Sequence, residues 1–227
     1  MIRFLKNRSL SLSMVVLVLG ITLVFQASIS YSTTFSRLTN FDNESNWFSP
    51  IWIFIRVLVY ITIFMLWLLN KKLHLFRAII ICNTLLTLGL IGNLFSLLKI
   101  LFTIMSAQNV DLLITDVLLM AITNILLFSI WYWIIDPPGV EPGHQHGQAW
   151  DFLFPQRANS IPHFENWLPH YTDYLALAFT TSFAFSPTDV LPLTRRAKML
   201  MMLQAAISII SLTGVAGCAI NILANRT

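Results

Sequence analysis

Three groups of residues have the types and spacing that chemistry uses. The first lies in "DPPGVEPGHQHGQAWDFLFPQRANSIPHFENWLPHYTD", Asp136 to Asp173. Here His144 and His146 form an H-x-H pair, with Glu141, Asp151, His163, Glu165 and His170 as further candidate ligands. Imidazole and carboxylate suit zinc and other divalent ions. The pair is accompanied by neither a helical i, i+4 His pair nor a close Cys pair to fix geometry, so no resident metal and no cofactor is expected. The second group lies in "FTTSFAFSPTDVLPLTRRAK", Phe179 to Lys198, where the hydroxyls of Thr180, Thr181, Ser182, Ser186 and Thr188 precede the carboxylate of Asp189. Such groups beside non-helical backbone can line an aqueous path. The third is a set of ionisable residues inside apolar runs: Lys99, Asp116 and Arg56. Lys99 and Asp116 lie at similar depth on either side of the short turn "SAQNVD" and can pair, whereas independent snorkelling of Lys99 and Arg56 is the alternative. No nucleophile elbow, phosphate loop or metalloprotease helix occurs, and an enzyme is not expected.

The elements that must position these residues are membrane helices. Of 227 residues, 56% are hydrophobic and 11% charged, where a soluble domain carries about 25% charged residues. A bilayer core about 30 Å thick needs about 20 apolar residues as helix. Ser11 to Tyr31, Ile51 to Asn70, Ala78 to Met105, Leu112 to Ile135 and Met199 to Leu223 meet that length. The first is also open to a signal-peptide reading, since it follows "MIRFLKNR" and ends near Ala27 and Ser28, but its apolar run is longer than the usual h-region. Gly89, Gly92, Asn93, Ser96, Asn124, Gly214 and Gly217 are expected to let helices approach or bond across an interface. Cys82 and Cys218 each lie in an apolar run and are expected to pack as small residues without a disulfide.

The basic residues set the sidedness. With the N terminus inside, Arg3, Lys6, Arg8, Lys71, Lys72, Arg77, Arg157, Arg195, Arg196 and Lys198 are cytoplasmic, ten of the 14 Lys and Arg. Arg37 and Arg226 fall outside, with Arg56 and Lys99 embedded. Cytoplasmic loops keep the excess of such residues, so the chain is read as a multi-pass protein of a plasma or inner membrane with a cytoplasmic N terminus. The net charge of +4 is a topology signal, and no nucleic-acid partner is expected because the cations do not cluster on one soluble face. Trp131, Trp133, Trp150, Phe152, Phe154 and Trp167 read as an interfacial aromatic belt, with "WDFLFPQ" lying on the membrane surface.

"DYLALAFTTSFAF", Asp173 to Phe185, is about 13 residues long, too short to span, with Thr172 or Asp173 as its N-cap and Pro187 beyond its end. It reads as a re-entrant half-helix. The fold is therefore all-α, with five transmembrane helices and one half-helix. It divides into an N-terminal four-helix region (1–138), a cytoplasmic or interfacial loop rich in Pro, His and Trp (139–172) and a pore-like module (173–227).

From Asp173 to Leu223 the order of half-helix, "SPTD" and long final helix resembles the pore module of the potassium-channel superfamily. Matching Asp189 to that family's filter Asp makes Ala184, Phe185, Ser186, Pro187 and Thr188 the filter positions. Both filter glycines are absent, and Pro187 cannot replace one. The resemblance implies a pore-like fold with a filter not of the potassium type. The charge-derived topology brings the half-helix in from inside, opposite to that family. The whole chain resembles uncharacterised prokaryotic integral membrane proteins of the DUF1345 type, through the early helices, "DFLFP", "DYLALAFTTSFAFSPTD" and the paired arginines Arg195 and Arg196; this resemblance implies no activity.

Two main functions follow as expectations. One is a pore-forming, ion-channel-like or transport protein, which requires a homo-oligomer, by analogy a tetramer, passing inorganic ions. The other is a structural or partner-binding membrane protein, in which Ser186 or Thr188 caps a helix and Asp189 pairs with Arg195 or Arg196. A third, an intramembrane enzyme using the histidine-rich loop, has no catalytic constellation to support it. The topology has a direct check: in sealed cells, an impermeant thiol reagent should label a Ser36→Cys variant and spare a Gln148→Cys one. The reverse pattern would invert the orientation.

Overall fold

The computed structural model describes residues 9–31, 48–69, 71–103, 110–136, 150–158, 167–184 and 189–224. Lipid offers backbone amides no partner, and the long apolar runs answer by forming helix. These are α1 (Ser9–Tyr31), α2 (Phe48–Leu68), α3 (Lys72–Thr103) and α4 (Val110–Ile135). There follow β1 (Phe152–Leu153), a single turn α5 (Pro155–Ala158), α6 (Tyr171–Ala184), β2 (Leu191–Pro192) and α7 (Arg195–Ala224). Four stretches, Ser11–Ile29, Leu73–Leu98, Ile114–Ile135 and Arg195–Gly214, are long and apolar enough to cross a membrane; α2 has a shorter apolar stretch at Val57–Leu68. The fold is all-helical, apart from two residues each in β1 and β2 paired antiparallel, Phe152 opposite Pro192 and Leu153 opposite Leu191.

α4 is the central helix, in contact with α1, α3, α6 and α7. Its sequence suits that place, because Met120, Leu127, Phe128, Ile130, Tyr132 and Trp133 are all wholly buried. A helix apolar on every side has no face for water. α2 is peripheral: Phe54, Leu58, Ile61, Phe64, Met65 and Leu68 are exposed and Ile63 is buried. Hydroxyls within the helices turn back onto carbonyls four residues earlier, Thr22 to Val18 at 2.7 Å and Thr84 to Ile80 at 2.8 Å, so they need no water.

Polar side chains also tie helix to helix. The Gln26 amide donates to the Leu86 carbonyl at 2.5 Å, joining α1 to α3, and the Asn83 amide donates to the Leu127 carbonyl at 3.3 Å, joining α3 to α4. The packing role expected for Asn124 is met by a bond across to α7. Gly214 does let α7 approach α3, since an added Cβ would lie 3.1 Å from Leu97 Cδ2. Gly92 differs from the expectation, because a Cβ there would meet nothing within 4 Å. Cys82 is buried and forms no disulfide.

α1 and α2 meet at Gly20, a contact that the sequence analysis did not single out. A Cβ at Gly20 would lie 2.8 Å from Tyr60 Cζ, and the Tyr60 hydroxyl reaches the Val16 carbonyl at 3.5 Å. The ring needs the space that a side chain would fill. Gly20→Val should lower stability to unfolding in detergent by about 1–3 kcal/mol. Adding Tyr60→Ala should recover part of that loss; additive losses would contradict the contact.

Candidate functional site

A cluster of buried polar groups lies where α4 ends and α6 and α7 begin. α4 runs into Asp136, followed by Pro137 and Pro138; the first proline disfavours a helical conformation at Asp136 itself. Asp136 is wholly buried. Its Oδ1 accepts the backbone N–H of Asp151 at 3.0 Å and of Phe152 at 3.3 Å, and its Oδ2 accepts the Tyr174 hydroxyl at 2.6 Å. One carboxylate thereby fixes the start of β1 and the first turns of α6. Hydrogen bonds to an ionised acceptor are roughly twice as strong as neutral ones.

Asp151 extends the arrangement to α7. Its carboxylate, also wholly buried, receives Arg196 Nε at 2.7 Å and a second guanidinium nitrogen at 2.5 Å, together with the Thr194 hydroxyl. Its carbonyl accepts the Leu193 N–H at 2.9 Å. Thr194 Oγ1 in turn accepts the Ala197 N–H at 3.3 Å, so Thr194 is the N-cap of α7. Asp151 is thus not available as a metal ligand, because its oxygens are taken by Arg196 and Thr194. Arg196 is accordingly paired with Asp151 and not with Asp189.

Deeper in the bundle, Gln204 joins three helices. Its Nε2 donates to the Ala178 carbonyl and to Ser182 Oγ, both at 2.7 Å, and its Oε1 accepts the Tyr132 hydroxyl. Asn124 Nδ2 donates to the Gln204 carbonyl at 3.3 Å and to Ser208 Oγ at 2.8 Å. Tyr171 and Ser129 share a further bond of 2.6 Å between α6 and α4. α6 is therefore held along its length, at Tyr171, Tyr174, Ala178 and Ser182.

The start of α6 differs from the expectation. His170 is the N-cap, and Asp173 reaches back from the third helical position to accept the His170 N–H at 2.7 Å. Of the expected lining residues, Thr180 is half-buried and its hydroxyl bonds the Ala176 and Leu177 carbonyls at 3.1 and 3.0 Å. Thr181 is buried against the Leu177 carbonyl at 2.7 Å, and Ser182 is taken by Gln204. Ala184 closes α6; Phe185, Ser186, Pro187 and Thr188 lie outside the described residues. Asp189 is exposed and makes no ion pair among the described residues.

Asp116 is buried, while the side chains of its expected partners Lys99 and Arg56 lie outside the described residues. His144, His146, Glu141, His163 and Glu165 also lie outside them, and His170 is exposed. Among the described residues no cluster of three or more His, Cys, Asp or Glu is placed to hold a metal ion.

The aromatic belt is corrected at Trp133, Phe152 and Phe154, while Trp131, Trp150 and Trp167 are half-buried. Trp133, Phe152 and Phe154 are buried, Trp131 donates its indole N–H to Thr87 Oγ1 at 2.9 Å, and Phe154 packs edge-on to Tyr174 at 5.6 Å between centroids. Tyr132 meets Phe152 edge-on at 5.1 Å. "DFLFP" therefore plugs the end of the bundle instead of lying on its surface, because Asp136 holds its backbone there. Asp136, Tyr174 and Gln204 escaped the sequence reading, although an Asp directly before two prolines and a lone Gln within an apolar span are visible signals.

The fold and this site together define an all-helical chain with four helices long and apolar enough to cross a membrane and with a polar, plugged end. No known family pattern, no curated protein and no solved structure matches it.

The Asp151–Arg196 pair is asymmetric: the Arg196 side chain is 57% exposed and Asp151 fully enclosed. Arg196→Met strands a buried carboxylate and should cost about 3 kcal/mol. Asp151→Asn leaves a guanidinium free to turn to solvent and should cost less. The double variant should recover part of the Arg196→Met loss when unfolding is followed in detergent; a double variant as weak as the sum of both would exclude the pairing.

Proposed function

We propose that this chain is a pore-forming, ion-channel-like or transport protein of a plasma or inner membrane, with its N terminus in the cytoplasm, and that α6 is its re-entrant half-helix beside five transmembrane helices. The observation that carries this reading is the anchoring of α6. Fourteen residues extend about 21 Å, short of a core about 30 Å thick. Near its start α6 is bonded to Asp136 at the end of α4, and near its finish to Gln204 of α7. Gln204 lies nine residues after Arg195, about 14 Å along that helix. β2, which follows α6, is paired with β1 beside Asp136. A half-helix that ends at such depth directs its negative dipole end and unpaired carbonyls at whatever lies there, an environment that favours a cation.

One hairpin per chain does not enclose a path, so the reading requires a homo-oligomer, by analogy with the resembled pore module a tetramer. Asp189, exposed beyond the half-helix, is the acidic group at the mouth. A second reading, a structural or partner-binding membrane protein, is favoured by a specific observation: Thr181 and Ser182 spend their hydroxyls inside the chain.

Reconstituted in liposomes, the chain should pass monovalent cations with little discrimination between potassium and sodium, since "AFSPT" has neither filter glycine. Asp189→Asn should reduce the preference for cations, an effect that weakens as salt screens the carboxylate. Reversal potentials under potassium and sodium gradients decide it. A hundredfold potassium preference contradicts the filter reading, and absence of flux supports the structural alternative.

A further inference from the structure

At its N-terminal end α7 carries three cations, which divide into two groups. Arg196 is spent on Asp151. Arg195 and Lys198 are exposed, and their side chains form no ion pair or hydrogen bond among the described residues. They are three positions apart on one helix, where side chains are neighbours about 5–6 Å apart at Cβ. Two cations at that spacing can hold one phosphate between them.

What continues along that face is apolar. Met199 and Met202 lie four positions beyond Arg195 and Lys198 respectively, and Ala206 and Ile209 continue the face in steps of four and three. Met199 is 64% exposed, Met202 66% and Ile209 49%, with Ala206 exposed between them. The buried side of α7, with Ala197, Met201, Gln204 and Ser208, is the opposite one. From Arg195 to Ile209 the strip runs about 21 Å, more than the ~15 Å of one leaflet, half of a core about 30 Å thick. Paired cations at one end of a leaflet-long apolar strip match the shape and charge of one kind of molecule.

We propose that this outward face of α7 is a binding site for an anionic phospholipid, with the phosphate between Arg195 and Lys198 and an acyl chain along Met199, Met202 and Ile209. The neighbouring Arg196 does not compete for the phosphate, because Asp151 holds it bidentately. The site sits on the helix that Gln204 couples to α6, so occupancy bears directly on the element that holds the half-helix. The proposal rests on the reading that α7 crosses a membrane. Its test reads binding in detergent, so a failure there leaves the conduction reading to be judged on flux alone.

The full chain is titrated in detergent with phosphatidylglycerol, phosphatidylcholine or inorganic phosphate, and retained adducts are read by native mass spectrometry. Phosphatidylglycerol should bind more tightly than phosphatidylcholine. Arg195→Gln with Lys198→Gln should weaken its binding roughly 30-fold, equivalent to about 2 kcal/mol at 1.4 kcal/mol per decade, or about 1 for each cation. Lys71→Gln with Arg77→Gln, exposed cations of the α3 end, should leave it unchanged. Retention by the unaltered chain should also fall as salt is raised, a readout that does not depend on the variants folding. The proposal is overturned if the two α7 substitutions leave phosphatidylglycerol binding intact, if phosphatidylcholine binds equally well, or if inorganic phosphate at the same concentration displaces the lipid fully.

Discussion

Asp136 is the constraint on which the architecture of one end depends. A carboxylate with no access to water must collect donors from the protein, or its burial costs several kcal/mol. Among the donors it finds are two backbone amides of the segment entering β1 and the hydroxyl of Tyr174. Once those are in place, Asp151 is held where Arg196 and Thr194 reach it, and the cap and register of α7 follow. The aromatic side chains of "DFLFP" are drawn inward by the same anchoring, against Tyr132 and Tyr174.

A second layer of polar contacts, around Gln204, applies the same rule at greater depth. Gln204 bonds groups of α4 and α6, and Asn124 bonds its backbone carbonyl and Ser208. In an apolar surround each of these groups is costly without a partner, so the helices fit in few mutual registers. α6, a helix of only 14 residues, is positioned by both layers. Its outward side keeps Phe179 and Phe183 exposed, their rings tilted by 48° to each other at 4.8 Å between centroids.

Much of the fold was legible because lipid imposes a simple length rule. The apolar runs of α1, α3, α4 and α7 and the short α6 can all be read from hydropathy and proline alone. The ends of elements were harder: Tyr171 starts α6 two residues before Asp173 because Asp173 caps from inside the first turn. The site was least legible. Asp136, Asp151, Tyr174 and Gln204 lie far apart in sequence, and only the folded chain makes them partners. Aromatic composition misled for the same reason, since the belt reading assumes that "WDFLFPQ" is free to lie on a surface, whereas two backbone bonds to Asp136 hold it beneath one.

The central claim is that α6 enters from one end of the bundle and that the chain returns to that same end. Thr172, at the start of α6, and Asp189, after it, are both exposed. The direct measurement is to place a single cysteine at each position in turn, in a background with Cys82 and Cys218 replaced, and label sealed vesicles of known orientation with an impermeant thiol reagent. The account expects both positions to react from the same side of the membrane. Labelling of Thr172→Cys from one side and Asp189→Cys from the other would make α6 a spanning helix and contradict it.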